Sequence, residues 1–137
     1  MGVILDSSVT IRAERIRMTE PQLLEEVRTV ANQEIVGLSA VGVTELVHGI
    51  YRADTQLRAA NRRRFLEELL EDLDVYDYNL AVARLAGQID GEQRAIGNSI
   101  PFPDLLIGAT ALSLNFSLLT VNLRHFRMIP NLHVIPF

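Results

Sequence analysis

Short apolar runs alternate with longer amphipathic stretches along this chain, and that alternation predicts an order of elements. Val3-Ile4-Leu5 ends abruptly in Asp6-Ser7-Ser8, the pattern of a buried parallel strand that delivers polar groups at its carboxyl end. Thr19-Glu20-Pro21-Gln22 reads as a capping box with Pro near the helix start. Leu23, Leu24, Val27 and Val30 follow at helical intervals and predict the first crossover helix. Ile35-Val36-Gly37-Leu38 predicts a second strand, after which Ser39 caps a helix through Val43, Leu46, Val47 and Ile50, with Glu45 in its second turn. Asp54 or Thr55 starts the next helix, whose apolar positions Leu57, Phe65, Leu66, Leu69, Leu70 and Leu73 are separated by charged residues. Val75-Tyr76 predicts a third strand. Leu80, Ala83, Leu85, Ala86 and Ile89 predict another helix, stopped at Gly97-Asn98.

The segment Ile100-Pro101-Phe102-Pro103-Asp104 then opens an apolar helix. Pro103 suits the first helical position, and Leu105, Leu106, Ala109 and Leu112 recur at helical spacing up to Asn115. Asp104 is the charged tip of that helix, where the positive end of the dipole favours the ionised form. Ser117-Leu118-Leu119-Thr120 predicts a fourth strand, opening into Val121-Asn122-Leu123-Arg124-His125-Phe126, and Leu132-His133-Val134-Ile135 a terminal one. Strands alternating with helices predict a parallel α/β sheet of about four to five strands, with polar groups gathered outside its carboxyl edge.

The 137 residues match about one ordinary domain, so a single domain over 1–137 is expected. Hydrophobic residues at 48% and charged residues at 22% give a globular balance. No apolar run approaches the roughly 18 residues of a membrane span and no secretion signal opens the chain, so a cytoplasmic protein without a membrane partner is expected. With no cysteine, any metal must be held mainly by oxygen. A net charge of −4 speaks against wrapping duplex DNA and suits a basic partner. All 13 basic residues are arginine, which excludes a P-loop lysine and Schiff-base chemistry.

Asp6, Glu45, Asp104 and Asn122 each fall at a strand end or in an early helical turn. Singly, each has a plain explanation: a turn residue, a solvated helix residue, an electrostatic helix cap and a second turn residue. Together they can converge on one rim. Carboxylates so gathered would repel and take up protons unless a cation neutralised them, and Mg²⁺ or Mn²⁺ suits oxygen donors. A divalent ion there would support phosphodiester hydrolysis.

Four motifs in order resemble the PIN-domain nucleases, and among them the VapC-type toxins of bacterial toxin-antitoxin pairs: Ile4-Leu5-Asp6-Ser7-Ser8, Thr44-Glu45-Leu46, Asp104-Leu105-Leu106-Ile107 with Ala109, and Thr120 to Phe126. The resemblance covers essentially the whole chain. It implies a three-layer α/β/α PIN-like domain and a metal-dependent endoribonuclease in which Asp6, Glu45 and Asp104 bind Mg²⁺ or Mn²⁺. Asn122 takes the fourth catalytic position, where the family often has Asp, so a second metal should bind more weakly. It further implies an RNA substrate, a cognate antitoxin with a basic C-terminal segment, and a homodimer.

Arg12 and Arg15, soon after Asp6, and Arg124, beside His125, are the candidate phosphate holders. Thr120 joins them as a substrate contact able to orient the site through its hydroxyl, its alternative being a buried β-branched strand residue. His125 can touch phosphate or pack with Phe126. Arg62-Arg63-Arg64 can attract RNA or form an ion-paired helix face with the acidic residues that follow. The rivals are an aspartyl phosphotransferase, which Ser8 and the missing lysine oppose, and a non-cleaving PIN-fold module that binds RNA or protein.

Overall fold

Five short parallel strands form the middle layer of the computed structural model, which describes residues 1–32 and 34–137. In chain order the elements are β1 (Gly2–Leu5), α1 (Ser7–Arg15), α2 (Glu20–Val30), β2 (Ile35–Ser39), α3 (Ala40–Tyr51), α4 (Gln56–Asp72), β3 (Asp74–Tyr76), α5 (Leu80–Ala95), α6 (Phe102–Ser113), β4 (Ser117–Thr120), α7 (Leu123–Phe126) and β5 (Val134–Pro136). The sheet order is β3-β2-β1-β4-β5 and every pairing is parallel.

The two-residue period of the strands splits the core between the two faces of the sheet. Val3, Leu5, Val36, Leu38 and Leu119 pack with Val9 and Ala13 of α1, Leu23, Leu24 and Val27 of α2 and Leu69 of α4. Ile4 and Leu118 face the other way, onto Val82, Ala86 and Ile89 of α5, Leu105, Ile107 and Ala109 of α6, and Phe126 of α7. The result is the expected α/β/α arrangement. No described helix is long and apolar enough to cross a membrane.

Local signals placed most helix starts. Thr19 and Gln22 form the reciprocal capping box of α2, and Ser39, Thr55 and Asn79 cap α3, α4 and α5 through their side chains. Asn115 ends α6 with φ +56°, a conformation its short amide side chain tolerates. α6 is buried more completely than its stripe of leucines suggested, because Ile107, Gly108, Thr110 and Ala111 are buried as well. A Cβ on Gly108 would lie only 2.2 Å from Ile129 Cδ1, so glycine lets that side chain approach the helix closely.

Several expectations need correction. The first crossover begins with α1, directly after Asp6, and not at Thr19: α1 buries only Val9 and Ala13, and its charged residues hide the period. The last strand starts at Val134 instead of Leu132, whose side chain packs into the core from a turn closed by its own N–H to Ile129 O. Leu57 and Leu80 are exposed in the first turns of their helices, at 73% and 68%.

Glu20 holds an unexpected position, since burial leaves it 3% exposed and its Oε1 has no hydrogen-bond partner. Burial first, then the neighbouring Asp72, and then Glu68 push its pKa up to about 7. A carboxyl with a folded pKa above its unfolded value binds more protons when folded, so its contribution to stability is lost as pH rises from about 4.5 to about 7. Glu20→Gln should therefore flatten the decline in stability over that interval. Above it, urea denaturation should find the variant more stable than the parent, because a neutral amide places no charge in the buried site beside Asp72 and Glu68.

Candidate functional site

The order β3-β2-β1-β4-β5 reverses its winding between β1 and β4, which leaves a crevice over the carboxyl ends of those two strands. Asp6 follows β1 and is 3% exposed. It occupies the N-cap position of α1 without capping it. Its Oδ2 instead accepts hydrogen bonds from Ser8 Oγ at 2.6 Å and from Thr120 Oγ1 at 2.8 Å. Oδ1 takes no hydrogen bond from the described residues. Thr120 Oγ1 also accepts from the Asn122 N–H at 2.8 Å, and Ser8 Oγ from the Val121 N–H at 3.1 Å. The ends of β1 and β4 are thus tied through one buried carboxylate.

Glu45 reaches the crevice from α3, whose start Ser39 fixes at the end of β2 by accepting from the Gly42 N–H. Ser7 Oγ donates to Glu45 Oε1 at 2.8 Å. Asp104, in the first turn of α6, has its Oδ2 2.7 Å from His125 Nδ1. Burial is the main cause that raises both pKa values. The negative charge of Asp6 raises both further and that of Asp104 raises Glu45, while the Ser7 hydroxyl and Arg52 lower Glu45, and His125 lowers Asp104. The charge of Asp6 therefore reaches both of the other carboxylates, each on a separate element. No three acidic or histidine side chains among the described residues form a ready-made metal cluster. The donors still fit a hard cation chemically: they are all oxygen, Asp6 keeps one oxygen unbonded, and burial and then neighbouring negative charge raise the pKa values of Glu45 and Asp104.

Asn122 is exposed at the start of α7, joined to this network by its backbone N–H, with its side-chain nitrogen 3.5 Å from His125 Nδ1. Thr120 corrects the expectation of a substrate contact: it is 0% exposed, so its hydroxyl orients Asp6 and cannot touch a substrate. Arg12 and Arg15 are exposed on the last turns of α1 and line no part of the groove of about 390 Å³ beside Glu45. The guanidinium groups there belong to Arg52 and Arg62, and Arg62 is engaged by Glu14 at 2.8 Å and by the Gly49 carbonyl at 2.6 Å. Arg124 is exposed on α7 next to His125. A larger groove of about 730 Å³ runs past Met18, Pro21 and Phe65 and contains neither Asp6 nor Asp104. Ser7, Ser8 and His125 are the partners that pattern missed. The paired hydroxyls after a strand were a faint signal, whereas nothing local joins His125 to Asp104, 21 residues away.

The PIN domain model matches residues 3–131. A protein named Ribonuclease VapC from Rickettsia bellii is 27% identical over 135 residues, covering 98% of this chain and 96% of its own. Ribonuclease VapC19 from Mycobacterium tuberculosis is 28% identical over 129 residues, covering 94% and 95%. Among solved structures, the chain superposes with a TM-score of 0.84 on one from VapBC2 of Rickettsia felis bound to a promoter DNA fragment, at 22% identity and 100% and 99% coverage. It superposes with 0.81 on one from VapBC-1 of nontypeable Haemophilus influenzae, at 25% identity and 99% and 98% coverage.

Carboxyl-carbon NMR titration of the metal-free protein should find Glu45 and Asp104 above their ordinary ranges, and Asp6→Asn should lower both midpoints. Midpoints that do not move would mean the carboxylates are not electrostatically coupled. Thr120→Val removes a donor to buried Asp6 and an acceptor for the Asn122 N–H, and urea denaturation should register a loss of about 1–3 kcal/mol.

Proposed function

The chain belongs to the PIN-domain family, matched over residues 3–131, and from that premise we propose that it is a metal-dependent endoribonuclease, the toxin of a toxin-antitoxin pair. The observation that carries the proposal is the hydrogen-bonded rim over β1 and β4: Ser8 and Thr120 hold Asp6, Ser7 beside it holds Glu45, and His125 just past β4 holds Asp104. Relatives named Ribonuclease VapC, similar over nearly the full length of both chains, support the reaction, and superposition on VapBC structures supports an antitoxin partner.

In this reading Asp6, Glu45 and Asp104 hold Mg²⁺ or Mn²⁺. When bound, such an ion lowers the pKa of water and offsets charge on a phosphoryl group. The protein's own part is to hold oxygen donors in place. Ser8 and Thr120 fix one oxygen of Asp6, and Ser7 fixes one of Glu45. Asn122 can bind or orient water through a neutral amide, with one negative charge fewer than a carboxylate would bring. Hydrolysis adds hydroxide to phosphorus and returns a proton to the departing ribose oxygen. Arg124, exposed and next to His125 in sequence, would contact the RNA backbone, with Arg12 and Arg15 on α1 as further exposed candidates.

A net charge of −4 suits an antitoxin whose C-terminal segment is basic, and a homodimer follows from the same family reading. Asn122 gives the second reading its one support: fewer charges at the site would favour a PIN-fold module that binds RNA or protein without cleaving.

Purified protein incubated with mixed RNA should cleave it with Mg²⁺ or Mn²⁺ and stop when chelator is added. Cleavage that persists in chelator would overturn the metal requirement, and binding without cleavage would favour the second reading. Asp104→Asn should keep the fold by circular dichroism, lower the cleavage rate by at least about 100-fold, and abolish growth inhibition on expression.

A further inference from the structure

Each carboxylate at the crevice has one oxygen held by side-chain donors, and three of the four donors are hydroxyls: Ser8 and Thr120 on Asp6, and Ser7 on Glu45. Asp104 depends on an imidazole. His125 Nδ1, 2.7 Å from Asp104 Oδ2, is the only side-chain partner of that carboxylate among the described residues. We infer that His125 is a positioning residue, which sets the rotation of the Asp104 carboxylate and so keeps its second oxygen directed at the site. The inference rests on the nuclease reading above and deepens it.

The local geometry supports this role. α7 has only four residues, and what anchors it is Phe126, fully buried in the core under α6. Successive helical residues point about 100° apart, so burying Phe126 turns His125 sideways while Arg124 stays exposed. The sideways direction meets the first turn of α6. An ionised carboxylate can only accept, so Nδ1 carries the hydrogen and donates it. Among the described residues no other side chain hydrogen-bonds the Asp104 carboxylate, and terminal carboxylate torsions are otherwise broad. Nδ1 is thus engaged by the protein, which leaves Nε2 alone for any contact with phosphate, so the two roles of His125 are separated by the variants below.

The test uses the full chain as wild type, His125→Asn and His125→Leu. Asn places an amide N–H near the Nδ1 position, whereas Leu keeps bulk without a donor. Calorimetry of metal-free protein with Mn²⁺ should show affinity falling about 10- to 100-fold in His125→Leu, the scale expected when an outer partner of a ligand is lost. Its kcat on an RNA oligonucleotide should fall with KM little changed, and His125→Asn should recover most of both losses. Should the Leu variant not fold, His125→Gln, whose amide reaches the Nε2 end of the ring, takes its place with the same expectation. Wild-type Mn²⁺ affinity in the Leu or Gln variant overturns the inference, as does a rise in KM alone, which would mark a phosphate contact. Equal losses in the Asn and Leu variants, with lowered melting temperatures, would mark simple packing and overturn it too. A wild-type protein that neither binds Mn²⁺ nor cleaves RNA would instead sink the nuclease reading, and this inference with it.

Discussion

Carboxylates gathered at one edge of the sheet, one buried and two half-buried, are the constraint on which this structure turns. Burial raises the pKa values of Glu45 and Asp104, and the charge of Asp6 raises both further, so the crevice stores electrostatic tension that no internal arginine fully cancels. Arg52 opposes it at Glu45 from an exposed position, and Arg62 is already committed to Glu14 and to the Gly49 carbonyl. Hydroxyls and one imidazole hold single oxygens in place, but neutral donors orient charge without neutralising it.

The fold makes that concentration possible. Parallel strands point their carboxyl ends one way, so residues following β1, β2 and β4 arrive at the same edge whatever their distance in sequence. α6 completes the set from the far side, and it can be buried so thoroughly because its middle turns are built of Gly108, Ala109, Thr110 and Ala111. A side chain at Gly108 would have to push Ile129 aside.

Much of this was legible in the chain because the signals were local. Capping residues and apolar periods marked nearly every strand and the helices from α2 to α6, and acidic residues at strand ends and first turns marked the crevice. What escaped depended on orientation. α1 was hidden because two small buried side chains leave no visible stripe, and without that helix Arg12 and Arg15 could not be assigned to any face. Thr120 was ambiguous for a similar reason, since a threonine closing a strand reads alike whether its hydroxyl serves a ligand or a buried carboxylate. Glu20 announced itself only as part of a capping box, and nothing near it in sequence foretold the Asp72 carboxyl that closes over it.

Thr120 lies 114 residues beyond the carboxylate it steadies, and β1 pairs with β4 only through the last part of the chain. A polypeptide emerging from the ribosome thus carries Asp6 and Glu45 into the cell while the strand beside Asp6 is still unmade. Long-range pairing of this kind is among the last steps of folding to be rewarded. Until β4 pairs with β1 the chain has acidic side chains but no shared rim, and the two are joined in a single step.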